Sequence, residues 1–98
     1  MRARRQDANA AEIVKALRKA GVSVYDLGRA AQFIPGFPDL LVVVSGRIHL
    51  LEVKTEKGEL TGDQVKFHGE WAGPPIVIVR SPEEAIIWAS HERIRFFR

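Results

Sequence analysis

The order of hydrophobic patterns along the chain predicts an α/β domain, a central mixed β-sheet flanked by helices in the order α-β-β-β-α-β-α. Three observations predict it. A helical apolar stripe opens the chain, two apolar runs meet at a tight turn in its middle, and two strong helix starts bracket a short apolar run in its second half.

In residues 7–20, Ala10, Ile13, Val14 and Leu17 recur at the spacing of one helix face, and Gly21 is a natural stop. Val22 to Leu27 alternates apolar and polar residues, as a short strand does. Gly28 to Phe37 holds two glycines and a proline and reads as a loop. Asp39 to Val44 is an acid followed by a wholly apolar run, and Ile48 to Lys54 is the next strand. Ser45-Gly46 between them fits a two-residue hairpin loop. Both strands are apolar on both faces near the turn, the pattern of central strands covered by helices on each side. Thr61 to Ala72 reads as a helix with a capping box, Thr61 as cap and Gln64 three residues on. Ile76 to Val79 is a short buried strand. Ser81-Pro82-Glu83-Glu84 opens a helix that should run to about Ser90. Residues 91–98 alternate Ile94 and Phe96 with Arg93 and Arg95, which fits a last strand or a contact between two copies.

The 98 residues make one domain, 1–98, with 1–6 as a basic arm and 91–98 as a tail. So small a core makes a homodimer a natural expectation. No apolar run is long enough to span a bilayer, and Met1 to Arg5 leads into a polar stretch rather than the apolar core of a signal peptide. The absence of cysteine excludes disulfides and thiolate metal sites and fits a reducing, cytoplasmic setting. The net charge of +3 is unevenly spread, with Arg2, Arg4 and Arg5 at the start and Arg93, Arg95 and Arg98 at the end. A basic surplus suits a polyanionic partner.

Counting outward from the hairpin, Val44 faces Arg47 and Asp39 faces Glu52. Carboxylates opposite one another on a sheet face have β-carbons about 4.5–5.5 Å apart and repel unless a cation lies between them. Hard divalent cations take carboxylate and backbone carbonyl oxygens, so Asp39, Glu52 and the Val53 carbonyl are candidate metal ligands. Lys54 shares the face of Glu52. A lysine there can stabilise a charged phosphate or help deprotonate a water. The plain alternative is an exposed charge pair at a fraying strand end. His49, His68 and His91 do not form a ligand set. His68, one turn beyond Gln64, reads first as a structural histidine. Trp71 and Trp88 sit at positions suited to packing.

Gly36-Phe37-Pro38-Asp39 followed by Glu52-Val53-Lys54 resembles the signature of the PD-(D/E)xK nuclease superfamily. The stretch Lys54-Thr55-Glu56-Lys57-Gly58-Glu59-Leu60-Thr61-Gly62-Asp63-Gln64 is similar to the virus-type replication-repair nuclease domain, VRR-NUC. The small basic chain also resembles the archaeal-type Holliday-junction resolvases. The resemblance covers residues from about 10 to 88. It implies a restriction-endonuclease-like core in which Asp39 and Glu52 bind Mg²⁺, with Mn²⁺ able to substitute, and Lys54 and Gln64 serve catalysis. It also implies an acid on the first helix, for which Glu12 is the candidate and Asp7 the substitute.

The expected function is therefore a Mg²⁺-dependent DNA endonuclease that hydrolyses phosphodiester bonds. With no room for a separate recognition domain, selectivity for DNA shape is expected over base readout. A homodimer resolving four-way junctions in recombination or repair fits that expectation. A broad or sequence-specific nuclease of a restriction or replication-repair system is the alternative, and a non-catalytic DNA-binding module a further one. Arg2, Arg4, Arg5, Lys57 and Lys66 are candidate phosphate contacts. Compactness suggests a phage or other mobile genome.

Overall fold

A computed structural model describes the backbone of residues 5–95 and the side chains of residues 8–95. Arg2, Arg4, Phe96 and Arg98 lie outside the described residues, as does the Arg5 side chain. The elements are α1 (Arg5–Lys19), β1 (Ser23–Asp26), a 3-10 turn (Ala30–Gln32), β2 (Leu40–Val44), β3 (Arg47–Val53), α2 (Gly62–Glu70), β4 (Val77–Val79) and α3 (Pro82–Arg95). This is a small α/β domain with the expected order of elements.

The four strands lie in the order β1-β2-β3-β4. The first three are antiparallel, and β4 runs parallel to β3. That parallel step requires a crossover, and α2 lies within it. The β2–β3 turn has Ser45 at φ 53° and Gly46 at φ 75°. Two left-handed residues in a row are what a tight hairpin needs to match strand twist.

α1 and α3 pack on each other and on one face of the sheet. There Ile13, Leu17, Ala85 and Ala89 close over Leu40, Val42, Val44, Leu51, Val53 and Val79. The other face departs from the expectation of full helical cover. α2 has nine residues, roughly 13 Å of helix, and buries none of them fully. It reaches only the Glu52 end, leaving Tyr25 59% and Ile48 58% exposed further along. The apolar side chains that suggested two covered faces thus meet a helix on one face and, at one end only, on the other.

The C-terminal segment also differs from its expected form. Residues 91–95 continue α3 instead of forming a strand. The buried positions Ala85, Ala89 and Glu92 keep a helical period through this stretch. Arg93 and Arg95 in the last turn suit the negative end of a helix dipole. Arg93 Nη2 also donates to the Ala20 carbonyl at 2.5 Å, tying the end of α3 to the end of α1.

Gly36 and an aromatic run fasten α2 to the loop before β2. Phe37 meets Phe67 edge-on at 5.2 Å, and Phe67 stacks on Trp71 at 5.9 Å. Gly36 has φ +80°, and a β-carbon there would lie 2.1 Å from the Asp63 carbonyl oxygen. Gly36→Ala is expected to destabilise the fold by about 2–4 kcal/mol, combining the left-handed penalty with a backbone clash. A urea titration checks this, and a loss under about 1 kcal/mol would show that the loop relaxes freely.

Candidate active site

The polar residues converge where β2 begins and β3 ends. The β2–β3 ladder runs from Val44↔Arg47 to Leu40↔Leu51 and stops there. Asp39 donates its backbone N–H to the Leu51 carbonyl at 3.1 Å, and its own carbonyl accepts from Leu27 at 2.7 Å. Asp39 therefore does not enter the ladder opposite Glu52, and the expected direct pairing ends one step short. The preceding Pro38 has no N–H with which to extend the ladder. Released from it, the Asp39 carboxylate turns across to β3, where Oδ2 accepts the Val53 N–H at 2.8 Å.

The two acids still meet through their side chains. The Asp39 carboxyl lies close enough to Glu52 to share a hydrogen bond with it and to repel its charge. Glu52 is fully buried. Burial first, then the hydrogen bond and negative charge of Asp39, push its carboxyl up to about 9, while the Lys54 ammonium pulls the other way. Glu52 and Lys54 are both buried, which excludes an exposed, fraying ion pair.

Strand geometry and two hydrogen bonds place Lys54. Its N–H donates to the Val79 carbonyl at 3.1 Å. Its own carbonyl accepts from Asn9 Nδ2 at 2.9 Å. An extended residue presents its N–H and C=O to the same side. The Val53 carbonyl therefore points, with its N–H, toward Asp39.

α2 supplies the other wall. The Thr61 N–H donates to Gln64 Oε1 at 2.9 Å and the Gln64 N–H to Thr61 Oγ1 at 3.2 Å, closing the capping box. The free end of the same amide, Nε2, donates to Glu52 Oε2 at 3.3 Å. Capping and site roles thus reside in one side chain, since the cap fixes which end of the amide faces Glu52. One turn on, His68 Nε2 lies 3.0 Å from Glu52 Oε1. Burial and the Lys54 charge hold the His68 imidazole below its usual pKa, so near neutrality it is an uncharged partner for Glu52.

Two site residues, Asn9 and Arg80, have no place in the sequence reading, and a third, His68, reads there first as structural but reaches Glu52 from one turn beyond Gln64. Asn9 interrupts the apolar stripe of Ile13 and Leu17 one turn early, a detectable signal. It bridges the Lys54 and Arg80 carbonyls at 2.9 and 3.0 Å. Arg80 follows β4, and its Nη1 donates to the Thr55 and Gly58 carbonyls at 2.7 and 2.6 Å. That clamp fixes the loop between Lys54 and α2, and nothing local in the sequence marks it.

Other expected residues lie apart. A cleft of about 630 Å³ reaches Asp39, and its α1 wall is Ala10, Ala11, Val14, Lys15 and Arg18. Glu12 is exposed and about 100° of helical rotation from Ala11. It is not brought to Asp39. The side chain of Asp7, the substitute, is outside those described. Lys57 and Lys66 are exposed, but Lys66, two residues from both Gln64 and His68, is on the far side of α2. His49 is on the opposite sheet face, 3.5 Å from Glu92 and packed edge-on against Trp88 at 5.0 Å.

Among the described residues no group of three or more Asp, Glu, His or Cys side chains gathers as a metal cage. A divalent cation nonetheless fits the chemistry of the acidic pair. Two adjoining carboxyls, one of them retaining its proton through burial first and then through its neighbour, are the donor set that a hard cation relieves. Asp39, Glu52 and the Val53 carbonyl would hold it. No helix among the described residues is long and apolar enough to cross a membrane. Comparison with models of known protein families, with curated proteins and with solved structures finds no match to this chain.

Proposed function

We propose that the chain is a Mg²⁺-dependent DNA endonuclease with a restriction-endonuclease-like core. The observation that carries this reading is the pairing of the half-buried Asp39 carboxyl with the buried Glu52, with the buried Lys54 beside it, at one end of the sheet and backed by Gln64 and His68. Asp39 leaves the ladder at the one place where its carboxylate can face a buried acid. Such a pair is costly unless something positive joins it. The resemblance of Gly36 to Asp39 and Glu52 to Lys54 to PD-(D/E)xK nucleases agrees with this arrangement.

When bound, Mg²⁺ supplies Lewis-acid polarisation of a phosphoryl oxygen and makes an adjacent water more acidic. The chain's own residues do the rest. Gln64 and His68 hold Glu52 in one orientation. The Lys54 ammonium, in a buried setting where charge acts strongly, faces the negative charge that grows on the phosphate as water adds and the bond to the leaving sugar oxygen breaks. Asn9 and Arg80 keep Lys54 and its loop in place.

We assign it to branched DNA, read by its shape rather than by base contacts, acting as a homodimer whose two sites address two strands. Its setting is the cytoplasm, including that of a phage-infected cell. The test is cleavage of a four-way junction and a linear duplex by purified protein in Mg²⁺, then Mn²⁺. Junction cutting at least tenfold faster is expected. Equal rates would support a broad nuclease of a restriction or replication-repair system, and tight binding without cutting in either metal would overturn the enzymatic reading.

A further inference from the structure

The loop from Leu27 to Phe37 is held firmly yet presents apolar side chains to solvent. Asp26 Oδ1 accepts the Gly28 N–H at 2.8 Å, and Leu27 donates to the Asp39 carbonyl at 2.7 Å. The Phe33 and Ile34 N–H groups both donate to the Ala30 carbonyl, at 3.0 and 2.8 Å, and Phe37 donates to Ile34 at 3.1 Å. Gly36 seats the return arm on the first turn of α2, beside Gln64. A loop pinned to both Asp39 and α2 keeps a fixed position relative to the site. At its tip Phe33 is 82% exposed and Ile34 47%. Single exposed apolar residues are ordinary, but an adjoining pair on a pinned turn at the catalytic end is not explained by packing.

The surroundings identify the occupant. Arg29 is exposed on the same loop, and Lys15 lines, with Arg18 and Asp26, the cleft that reaches Asp39, Arg18 being tied to the Val24 carbonyl at 2.9 Å. An exposed aromatic ring with a cation on the same loop and a lysine along the neighbouring cleft suits single-stranded nucleic acid, which proteins hold with phosphates on basic groups and bases on rings. Apolar side chains also enter between base steps where a duplex is opened. A second copy of the chain would bury the same tip, but the exposed Arg29 on this loop and Lys15 on the cleft wall favour a polyanion.

We propose that Phe33, backed by Ile34, is a wedge that stacks on an unpaired base next to the scissile phosphate, with Lys15 and Arg29 holding the flanking backbone. This rests on the nuclease reading and gives it a physical basis for preferring branched DNA. A branch offers an unstacked base without the cost of opening a duplex.

The test uses the full chain with a junction and a linear duplex, each carrying 2-aminopurine, at the branch point or in mid-duplex. The wild type is expected to quench the branch-point probe and leave the duplex probe unchanged. Phe33→Ala should lose the quench and bind the junction about tenfold more weakly, the order of one stacked base, with duplex affinity within twofold. Phe33→Trp should restore both. Equal weakening on both DNAs, or an unchanged junction signal, would overturn the wedge even if the wild type cleaves DNA. So would a Phe33→Ala chain that turns monomeric by light scattering while its junction signal persists. A wild type that neither binds nor cleaves any DNA would remove the nuclease reading itself.

Discussion

Asp39→Asn is expected to lower the single-turnover rate of Mg²⁺-dependent DNA cleavage about a thousandfold, while folding and DNA affinity stay within a few-fold of wild type. The asparagine is chosen because its side-chain oxygen can still accept the Val53 N–H that Asp39 Oδ2 holds at 2.8 Å. The substitution then removes charge from the acidic pair without leaving a buried donor unpaired, a loss that would itself cost about 1–3 kcal/mol. Lys54→Ala should cost about a hundredfold, since its ammonium acts on developing charge rather than on the resting substrate. Glu12→Gln should change the rate less than twofold, because Glu12 is exposed and turned from the cleft. Rates measured with enzyme in excess separate chemistry from product release. An Asp39→Asn chain within tenfold of wild type would end the assignment of the acidic pair to catalysis.

Local signals in this chain are legible from its sequence, and long-range ones are not. The hairpin register was legible because a two-residue loop leaves one way to count outward, and Val44↔Arg47 through Leu40↔Leu51 follow it. The capping box was legible because its two hydrogen bonds join residues three apart. Asp39's exit from the ladder was not. It depends on Leu27, distant in sequence, taking the Asp39 carbonyl. The bare side of the sheet was hidden too, because apolar composition does not say whether a crossover helix is long enough to cover it. For the first-helix acid the sequence offers Glu12 on the flank of the apolar stripe, while the cleft that reaches Asp39 is lined on that helix by Ala10, Ala11, Val14, Lys15 and Arg18. His68 carries little signal in the sequence, because a histidine on a half-polar helix has many harmless explanations until a buried acid lies opposite it. The site was thus readable where its residues share a strand or a helix turn, and unreadable where separate elements had to bring them together.

The proton on Glu52 makes the apo protein's stability depend on pH in a definite direction. An unfolded glutamate ionises near 4.5, whereas the folded carboxyl holds its proton to about 9. Between those values the folded state binds more protons, so folding stability falls as pH rises through the window. His68 works the opposite way only below its ordinary value of 6.5, because its folded pKa is lowered. The decline should therefore be clearest between 6.5 and about 9. A cation at the acidic pair replaces that proton. At a hundred times its dissociation constant, Mg²⁺ should stabilise the fold by about 2.7 kcal/mol, raising Tm by roughly 10–20 °C in a domain of this size. The rise should be larger at alkaline pH, where no proton competes. Glu52→Gln should flatten the pH dependence of the metal-free protein, raise its Tm at the alkaline end and abolish the Mg²⁺ response. Thermal unfolding across this pH range, with and without Mg²⁺, reads all three effects. A metal-free Tm that does not fall with pH would remove the buried proton, and a Mg²⁺ shift that survives in Glu52→Gln would place the cation elsewhere.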